Sequence, residues 1–208
     1  MKRLKTVCSL IERTGVFADV GCDHGLVSKF VLDNNLADVV CATDISEGSL
    51  NKAKQLLSNY ENVRFYLGDG VQPLIEQGVR VDTAVICGMG GQTIMKILSN
   101  DAVIPTLILG AQKNTDKLRR FLLGRGYEIT NDVMVEDRGK FYDVIKAEYG
   151  KTDCLDEIQM AFGKFYDRKN PDMLTYLSWL EGRLITYKQT EANVKLGEQI
   201  REVMKWQR

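Results

Sequence analysis

No stretch of this chain approaches the roughly 18 consecutive apolar residues of a membrane span. The first 12 residues alternate Lys or Arg with single apolar residues, so the continuous apolar core of a signal peptide is missing too. Both absences lead us to expect a soluble, unexported, cytoplasmic protein. There is one histidine, His24, and the five cysteines (Cys8, Cys22, Cys41, Cys87, Cys154) contain no CxxC pair. A structural zinc site needs clustered Cys and His, so no metal is expected. Three of the thiols fall in or beside predicted strands, where free cysteine acts as a small buried hydrophobe. Nor is there an excess of charge: 28 basic residues balance 28 acidic ones. That balance does not advertise nucleic-acid binding, although phosphate attraction depends on local clustering rather than on totals. Internal repeats and low-complexity segments are also absent.

What is present is alternation. From residue 17 to about 149, short apolar runs alternate with amphipathic stretches, the pattern of βα units on a mostly parallel sheet. Strands are predicted at 16–20, 38–43, 63–67, 83–87, 106–109, 127–135 and 142–149, with helices at 26–34, 47–59, 92–98 and 116–125. In the second of these helices Leu50, Ala53, Leu56 and Leu57 share one face. Only residues 136–140 separate the last two strands, which therefore read as an antiparallel hairpin. The expected fold class is α/β, a Rossmann-like sheet of the class I methyltransferase kind; the link from hairpin to that class is fold analogy. Before the sheet, Leu4, Val7 and Ile11 form an apolar stripe on a helix ending near Gly15. After residue 150 the pattern turns helical, at 153–165 and 171–206, with Asn170-Pro171 as a break and helix start. Leu177, Leu180, Leu184, Tyr187 and Val194 make a coiled-coil-like stripe with Glu191 in one seam position. Gly182 and Gly197 each weaken that helix by roughly 1 kcal/mol relative to alanine, leaving room for a bend. Two units are expected, a catalytic domain over 1–150 and a helical extension over 151–208. The extension serves either as packing for its own domain or as an RNA- or partner-binding arm.

Five segments, four rich in glycine or acid and one in amides, fall at the carboxyl ends of the predicted strands, where open α/β sheets bind ligands. The first is Asp19-Val-Gly-Cys-Asp-His-Gly25. Gly21 suits a tight turn and Gly25 close packing of the next helix, but Asp23 stands where a dinucleotide fingerprint needs its middle glycine. A carboxylate there repels a diphosphate and is compatible with the cationic, phosphate-free S-adenosylmethionine. Asp44, about 20 residues on from the turn, is spaced to accept ribose hydroxyls, with Ser46 the better helix cap. Gly68-Asp69-Gly70 can reach an adenine amino group or form a plain turn. Gly88-Met89-Gly90-Gly91 can line a tight cavity, with Met89 beside the transferring methyl or as a core plug. Gln112-Lys113-Asn114 carries amides that match a nucleobase edge.

These segments, with Glu136-Asp-Arg-Gly-Lys-Phe-Tyr142, resemble the bacterial TrmK family, from about residue 3 to 148 and more loosely beyond. The resemblance implies an S-adenosylmethionine-dependent enzyme that methylates N1 of the adenosine at position 22 of tRNA. It implies that Gly21, Asp44, Asp69 and Gly70 hold the cofactor, and the same segments add Asp19, Cys22, Asp23, Gly25, Ile45, Gly68, Gly88, Met89 and Gly90. Asp23, His24, Met89, Gln112 and Asn114 would surround the target base, and residues 153–208 would correspond to the family's tRNA-binding coiled coil. The chain departs from the family in Lys113, where the usual motif is Gln-Pro-Asn, in Leu26, where many members have tyrosine, and in a shorter C-terminal region.

The implied chemistry is direct attack by the N1 lone pair, for which the protein supplies alignment and electrostatics. Asp23 is expected near the adenine amino group. His24 is expected either to move a proton or to bond a backbone carbonyl as a structural residue. Lys113, Lys117, Arg119, Arg120 and Arg125 form either a phosphate-binding patch or a solvated helix face. Besides tRNA no stable protein partner and no membrane are implied. Two other readings remain at this level: a methyltransferase for a small molecule or protein, and a non-catalytic nucleotide- or RNA-binding module.

Overall fold

In the computed structural model of the chain, which describes residues 1–100, 102–187 and 190–207, seven strands form one mixed sheet. The strands are β1 (Thr14–Val20), β2 (Ala37–Asp44), β3 (Val63–Leu67), β4 (Thr83–Met89), β5 (Thr106–Ala111), β6 (Tyr127–Asp137) and β7 (Lys140–Tyr149), in the order β3-β2-β1-β4-β5-β7-β6. The first five run parallel, and β7 enters antiparallel between β5 and β6. The expected α/β class and the terminal hairpin are both present. The hairpin is tighter than residues 136–140 suggested: only Arg138 and Gly139 turn, with φ of 59° and 75°. Two positive φ values suit the right-handed twist of the flanking strands.

Successive strand residues feed opposite faces. Ala18, Cys41, Ala84, Ile86, Leu107 and Leu109 enter one core and Phe17, Val40, Val85 and Ile108 the other. A sheet covered on both faces needs such near-continuous apolar runs. The second core is covered by α1 (Lys2–Ser9) and α2 (Leu26–Asp33), together with Leu57 just past α3 (Glu47–Leu56). The first is covered by α4 (Gln72–Glu76), α5 (Gly91–Ile97) and α6 (Thr115–Gly124).

Several boundaries differ from expectation. α1 stops at Ser9 and Gly15 lies inside β1, because residues from Thr14 onward pair with β2. In and just past α3, Leu50, Ala53 and Leu57 are buried but Leu56 is exposed, one position off the apolar face. The one-turn helix α4, with Pro73 in its first turn, was not expected from periodicity, which five residues cannot display. Residues 153–165 yield only α7 (Glu157–Phe162), capped by a reciprocal Asp156–Gln159 box. The helical stretch expected over 171–206, left open between one helix and a hairpin, is two helices, α8 (Pro171–Leu184) and α9 (Glu191–Gln207); positions 188 and 189 of that span lie outside the described residues. One helix of that length would run about 54 Å and leave its stripe in water. Folded back, α8 contributes Met173, Leu177 and Leu184 and α9 contributes Ile200, Val203 and Met204 to one cluster, which Met134 of β6 joins. Tyr187 and Val194, expected in the stripe, are exposed, and Gly182 and Gly197 stay inside helices. Among the described residues no helix is long and apolar enough to cross a membrane.

Arg119 of α6 corrects the expected basic patch. Its guanidinium is fully buried, bonding both carboxylate oxygens of Asp132 (2.8 and 3.0 Å), Asp143 (3.0 Å) and the Met160 carbonyl (2.9 Å). A cation with that many acceptors is held by the β6–β7 hairpin and α7, out of reach of phosphate. Arg125 is also engaged, donating to the Asn100 carbonyl and lying over Phe121. Lys113, Lys117 and Arg120 remain exposed. Burial raises the Asp143 carboxyl above its usual range even though Arg119 opposes the shift. Removing the guanidinium leaves two carboxylates in an apolar interior, so Arg119→Ala should destabilise the fold by about 3–5 kcal/mol in urea denaturation. A change below about 1 kcal/mol, the scale of an exposed pair, would deny the network that role.

Candidate active site

The parallel register brings the strand ends to one level. Asp19 sits opposite Ala42 and Val85, and Val20 opposite Thr43 and Ile86, while Asp44 is paired with Leu67. The loops leaving these strands bound a cleft of ≈ 720 Å³. The amides of Gly21 and Cys22 both donate to the Thr43 carbonyl at 2.9 Å, and Gly25 N–H donates to the Cys22 carbonyl. Gly21 has φ +71°, and a Cβ there would meet the Met89 methyl at 2.4 Å, so Met89 lies across the turn. Gly25 also has positive φ, and the close approach it permits is to Ala53 of α3 (3.0 Å) rather than to the helix it begins.

Asp44 is held from two sides: one oxygen accepts from the Asp23 amide (2.9 Å) and the other from the Ser46 amide (2.8 Å). Ser46 caps α3, as its spacing suggested. The neighbouring Thr43 hydroxyl donates to the Gly70 carbonyl (2.9 Å), fastening the third loop to the second strand. Asp69 faces Lys96 of α5 at 3.4 Å. Asp23 takes a left-handed φ of 50°, a conformation aspartate tolerates better than most residues. Its side chain is exposed beside that of His24, with Oδ1 and Nε2 3.6 Å apart. His24 is exposed, not a buried structural histidine.

Of the expected residues, Asp19, Gly21, Cys22, Asp23, His24, Asp44, Ile45, Asp69, Gly70, Gly88 and Met89 line this cleft. Gly25, Gly68 and Gly90 shape the adjoining turns without lining it. Gln112 and Asn114 also stand outside the lining; Gln112 is exposed, and Asn114 takes φ +56° at the start of α6 with its carbonyl against Gly91. Periodicity gave no hint that α1 would close one side, where Met1, Arg3 and Leu4 reach the cleft. Arg3 lies over the Tyr142 ring at 4.7 Å, and its amide donates to Asp137 at 3.3 Å. Thr93 and Lys96 of α5 were missed as well. The signal available for Lys96 was charge, a basic residue on the short helix that follows the glycine-rich end of β4; Arg3 had no local signal, because only the docking of α1 brings it to the cleft.

Asp19 is buried beneath the turn, its Oδ2 accepting from the Ser28 amide (3.0 Å) and hydroxyl (2.7 Å). Burial pushes its carboxyl up from 3.8 to about 6, against the lowering effect of those two bonds. Burial likewise pushes the Cys22 thiol up to about 12, so it is a packed neutral thiol. An acid with a raised folded pKa contributes stability that is full below its ordinary pKa and lost as pH rises through the folded one. Asparagine keeps an acceptor for Ser28 and does not ionise. The stability of Asp19→Asn relative to the parent should therefore rise by about 2 kcal/mol between pH 4 and pH 7. Urea midpoints at the two pH values check this, and a pH-independent difference would show that Asp19 is not strained by its charge.

The family model described as a methyltransferase domain matches residues 1–145. The chain is 33% identical over 172 residues, 78% of its length and 71% of the relative's, to the tRNA (adenine(22)-N(1))-methyltransferase of Bacillus subtilis. It also superposes on the structure of M. capricolum TrmK in complex with S-adenosyl-homocysteine with a TM-score of 0.87 at 26% identity, covering 99% of this chain and 98% of that one. The fold, the strand-end cleft and these matches together make the chain a member of the TrmK methyltransferase family.

Proposed function

We propose that this protein uses S-adenosylmethionine to methylate N1 of an adenine in tRNA, at position 22. The observation that carries the reading is one cleft in which the Asp44 and Asp69 loops meet the Asp23-His24 pair and Met89. The donor set fits this cofactor. The Gly21 and Cys22 amides are committed to Thr43, and the Asp23 amide to Asp44, so the turn offers no open nest for a diphosphate. The carboxylates suit hydroxyls, an amine and a cation instead. Ile45 is 74% exposed in the cleft, an apolar surface matched to the face of an adenine ring.

When bound, S-adenosylmethionine supplies an electrophilic methyl group on a sulfonium sulfur. Asp44, fixed by two backbone amides, keeps lone pairs for the ribose hydroxyls. Asp69 accepts from the amino group of the cofactor's adenine. Arg3 and Lys96 are the Lys and Arg side chains among the described cleft-lining residues, and Lys96 already faces Asp69, which leaves Arg3 for the ligand's carboxylate. Asp23 accepts from the amino group of the target adenine and stabilises positive charge as it develops on the ring. His24, at Asp23's side, takes up a proton from that amino group. N1 lies on the pairing edge, so a paired target base must leave its stack to reach these groups. Gln112 and Asn114, beyond the cleft at the end of β5, then meet the base edge or its neighbour, and exposed Lys113, Lys117 and Arg120 meet phosphate.

Incubation with labelled S-adenosylmethionine and unmodified tRNA, followed by digestion, should yield 1-methyladenosine. Bound cofactor with no labelled RNA would transfer the acceptor role to a small molecule or protein. Asp44→Asn should weaken cofactor binding roughly thirty-fold, about 2 kcal/mol for a lost charge-assisted bond. Asp23→Asn, which suits a left-handed φ, should leave that affinity within a few-fold and lower kcat by about 100-fold or more. Calorimetry and single-turnover kinetics separate the two effects, and a near-normal rate for Asp23→Asn would remove its carboxylate from the chemistry.

A further inference from the structure

The turn that joins β6 and β7 reaches past the carboxyl ends of the parallel strands. Asp143 of β7 pairs with Ala111, the last residue of β5, and residues 137–142 lie beyond that pair. The Glu136–Tyr142 motif sits here, and the chemistry assigned to the cleft uses none of it. Its groups converge instead on the first turn of α1. Asp137 accepts from the Arg3 amide at 3.3 Å. The first amides of a helix have no partner within it. α1 has neither a capping side chain nor an acidic residue in its first turn, so the hairpin supplies the missing carboxylate. Glu136 accepts from the Gly139 amide at 2.6 Å, which closes the turn. The Glu136 amide donates to Asp172 (2.9 Å), whose other oxygen holds Lys2 at 2.6 Å. Lys2, through Asp172, and the Arg3 backbone are thus fixed against one turn.

The Arg3 side chain is held in another way. Its guanidinium lies over the Tyr142 ring at 4.7 Å, and Tyr142 is buried on β7 opposite Val135. Among the described residues no carboxylate pairs with this cation, although Asp19, Asp23, Asp44 and Asp69 line the same cleft. Burial and Asp19 push the Cys87 thiol up to about 12 and Arg3 opposes the rise, so the guanidinium acts on the end of β4, where Cys87 lines the cleft. A carboxylate partner would occupy the N–H donors that an incoming carboxylate needs. A ring holds the cation by its face and leaves the planar fork of donors free.

Resting on the reading that Arg3 takes the cofactor's carboxylate, we infer that Asp137 and Tyr142 are positioning residues, and that the hairpin turn is a socket aiming the Arg3 guanidinium into the cleft before the ligand arrives. Asp137 fixes where the side chain starts and Tyr142 where it ends. The rotamer freedom that a long cation otherwise loses on binding is then lost on folding. The socket separates the whole cofactor from fragments that keep the adenosine and lack the amino acid. Cofactor and demethylated product share the carboxylate, so the socket acts on affinity for both and leaves the methyl-transfer step to other groups.

The test is calorimetry of the full chain with two probes. S-adenosylhomocysteine carries the carboxylate; methylthioadenosine keeps the adenosine and the sulfur but has neither carboxylate nor amine. Tyr142→Leu should weaken S-adenosylhomocysteine about fivefold and leave methylthioadenosine unchanged. Tyr142→Phe, which keeps a ring face, should restore most of that loss. Asp137→Ala should act in the same direction, about threefold. Arg3→Ala should weaken S-adenosylhomocysteine roughly thirty-fold, and Tyr142→Leu should add nothing in that background. If Tyr142→Leu weakens both probes equally, or its effect persists without Arg3, the ring serves only the fold and the inference is overturned. It is overturned too if Arg3→Ala weakens S-adenosylhomocysteine and Tyr142→Leu does not. If Arg3→Ala itself leaves that affinity unchanged, the carboxylate reading of Arg3 falls and the socket with it.

Discussion

The central strand β1 pairs with β2 on one side and β4 on the other, in parallel and in register over its last residues. Everything in the cleft depends on that pairing. Parallel strands cannot be joined by tight turns, so each is followed by a loop and a crossover helix, and equal registers make those loops emerge at one level. Hydrogen bonds couple the loops further: the turn after β1 hangs on the Thr43 carbonyl of β2, and the loop after β3 hangs on the Thr43 hydroxyl. A single residue of β2 thus sets the shape of two of the loops that surround the ligand.

A second constraint acts at the other end of the sheet. Arg119 is buried with Asp132 and Asp143 and also holds the Met160 carbonyl, joining α6, both strands of the hairpin and α7. Burying charge is unfavourable unless the partners are aligned and the remaining donors satisfied, and here the planar guanidinium meets one carboxylate with two bonds and a second with another. The α8–α9 pair continues the attachment with apolar contacts on Met134 and polar ones through Asp172, which accepts from Lys2 and from the Glu136 amide. The N-terminal helix is therefore tied to the tail as well as to the cleft that it borders.

These two constraints divide the electrostatics. Carboxylates collect at the ends of β1, β2 and β3, where a cationic, hydroxyl-rich, phosphate-free ligand suits them. Exposed cations, Lys113, Lys117, Arg120, Arg138 and Lys140, collect around the end of β5 and at the hairpin tip, a surface suited to a polyanion. A zero net charge says nothing of such local gathering, and no composition-level count could have revealed it.

How much was legible follows from range. The seven strands, the closing hairpin and the helix cap at Ser46 were readable because hydrophobic alternation and turn chemistry are local properties. The Asp23, Asp44 and Asp69 segments were readable because they sit at strand ends in a fold whose strand ends converge. The role of Arg119 was not: a basic residue on an amphipathic helix looks the same in sequence whether its face meets water or two aspartates, and only packing α6 against β6 and β7 buried it. Whether the tail is one helix or a hairpin was open for a similar reason, since helical periodicity continues across a fold-back and burial of the stripe decides where the chain turns. Arg3 and Lys96 reached the cleft only through the docking of α1 and α5. By itself, then, the sequence determined the α/β class and the phosphate-free, acid-lined character of the strand-end loops, because those rest on local periodicity and residue chemistry. Which charges were buried, which helices closed the cleft and which aromatic rings met an arginine were decided by the tertiary structure, because those depend on contacts between segments far apart in the chain.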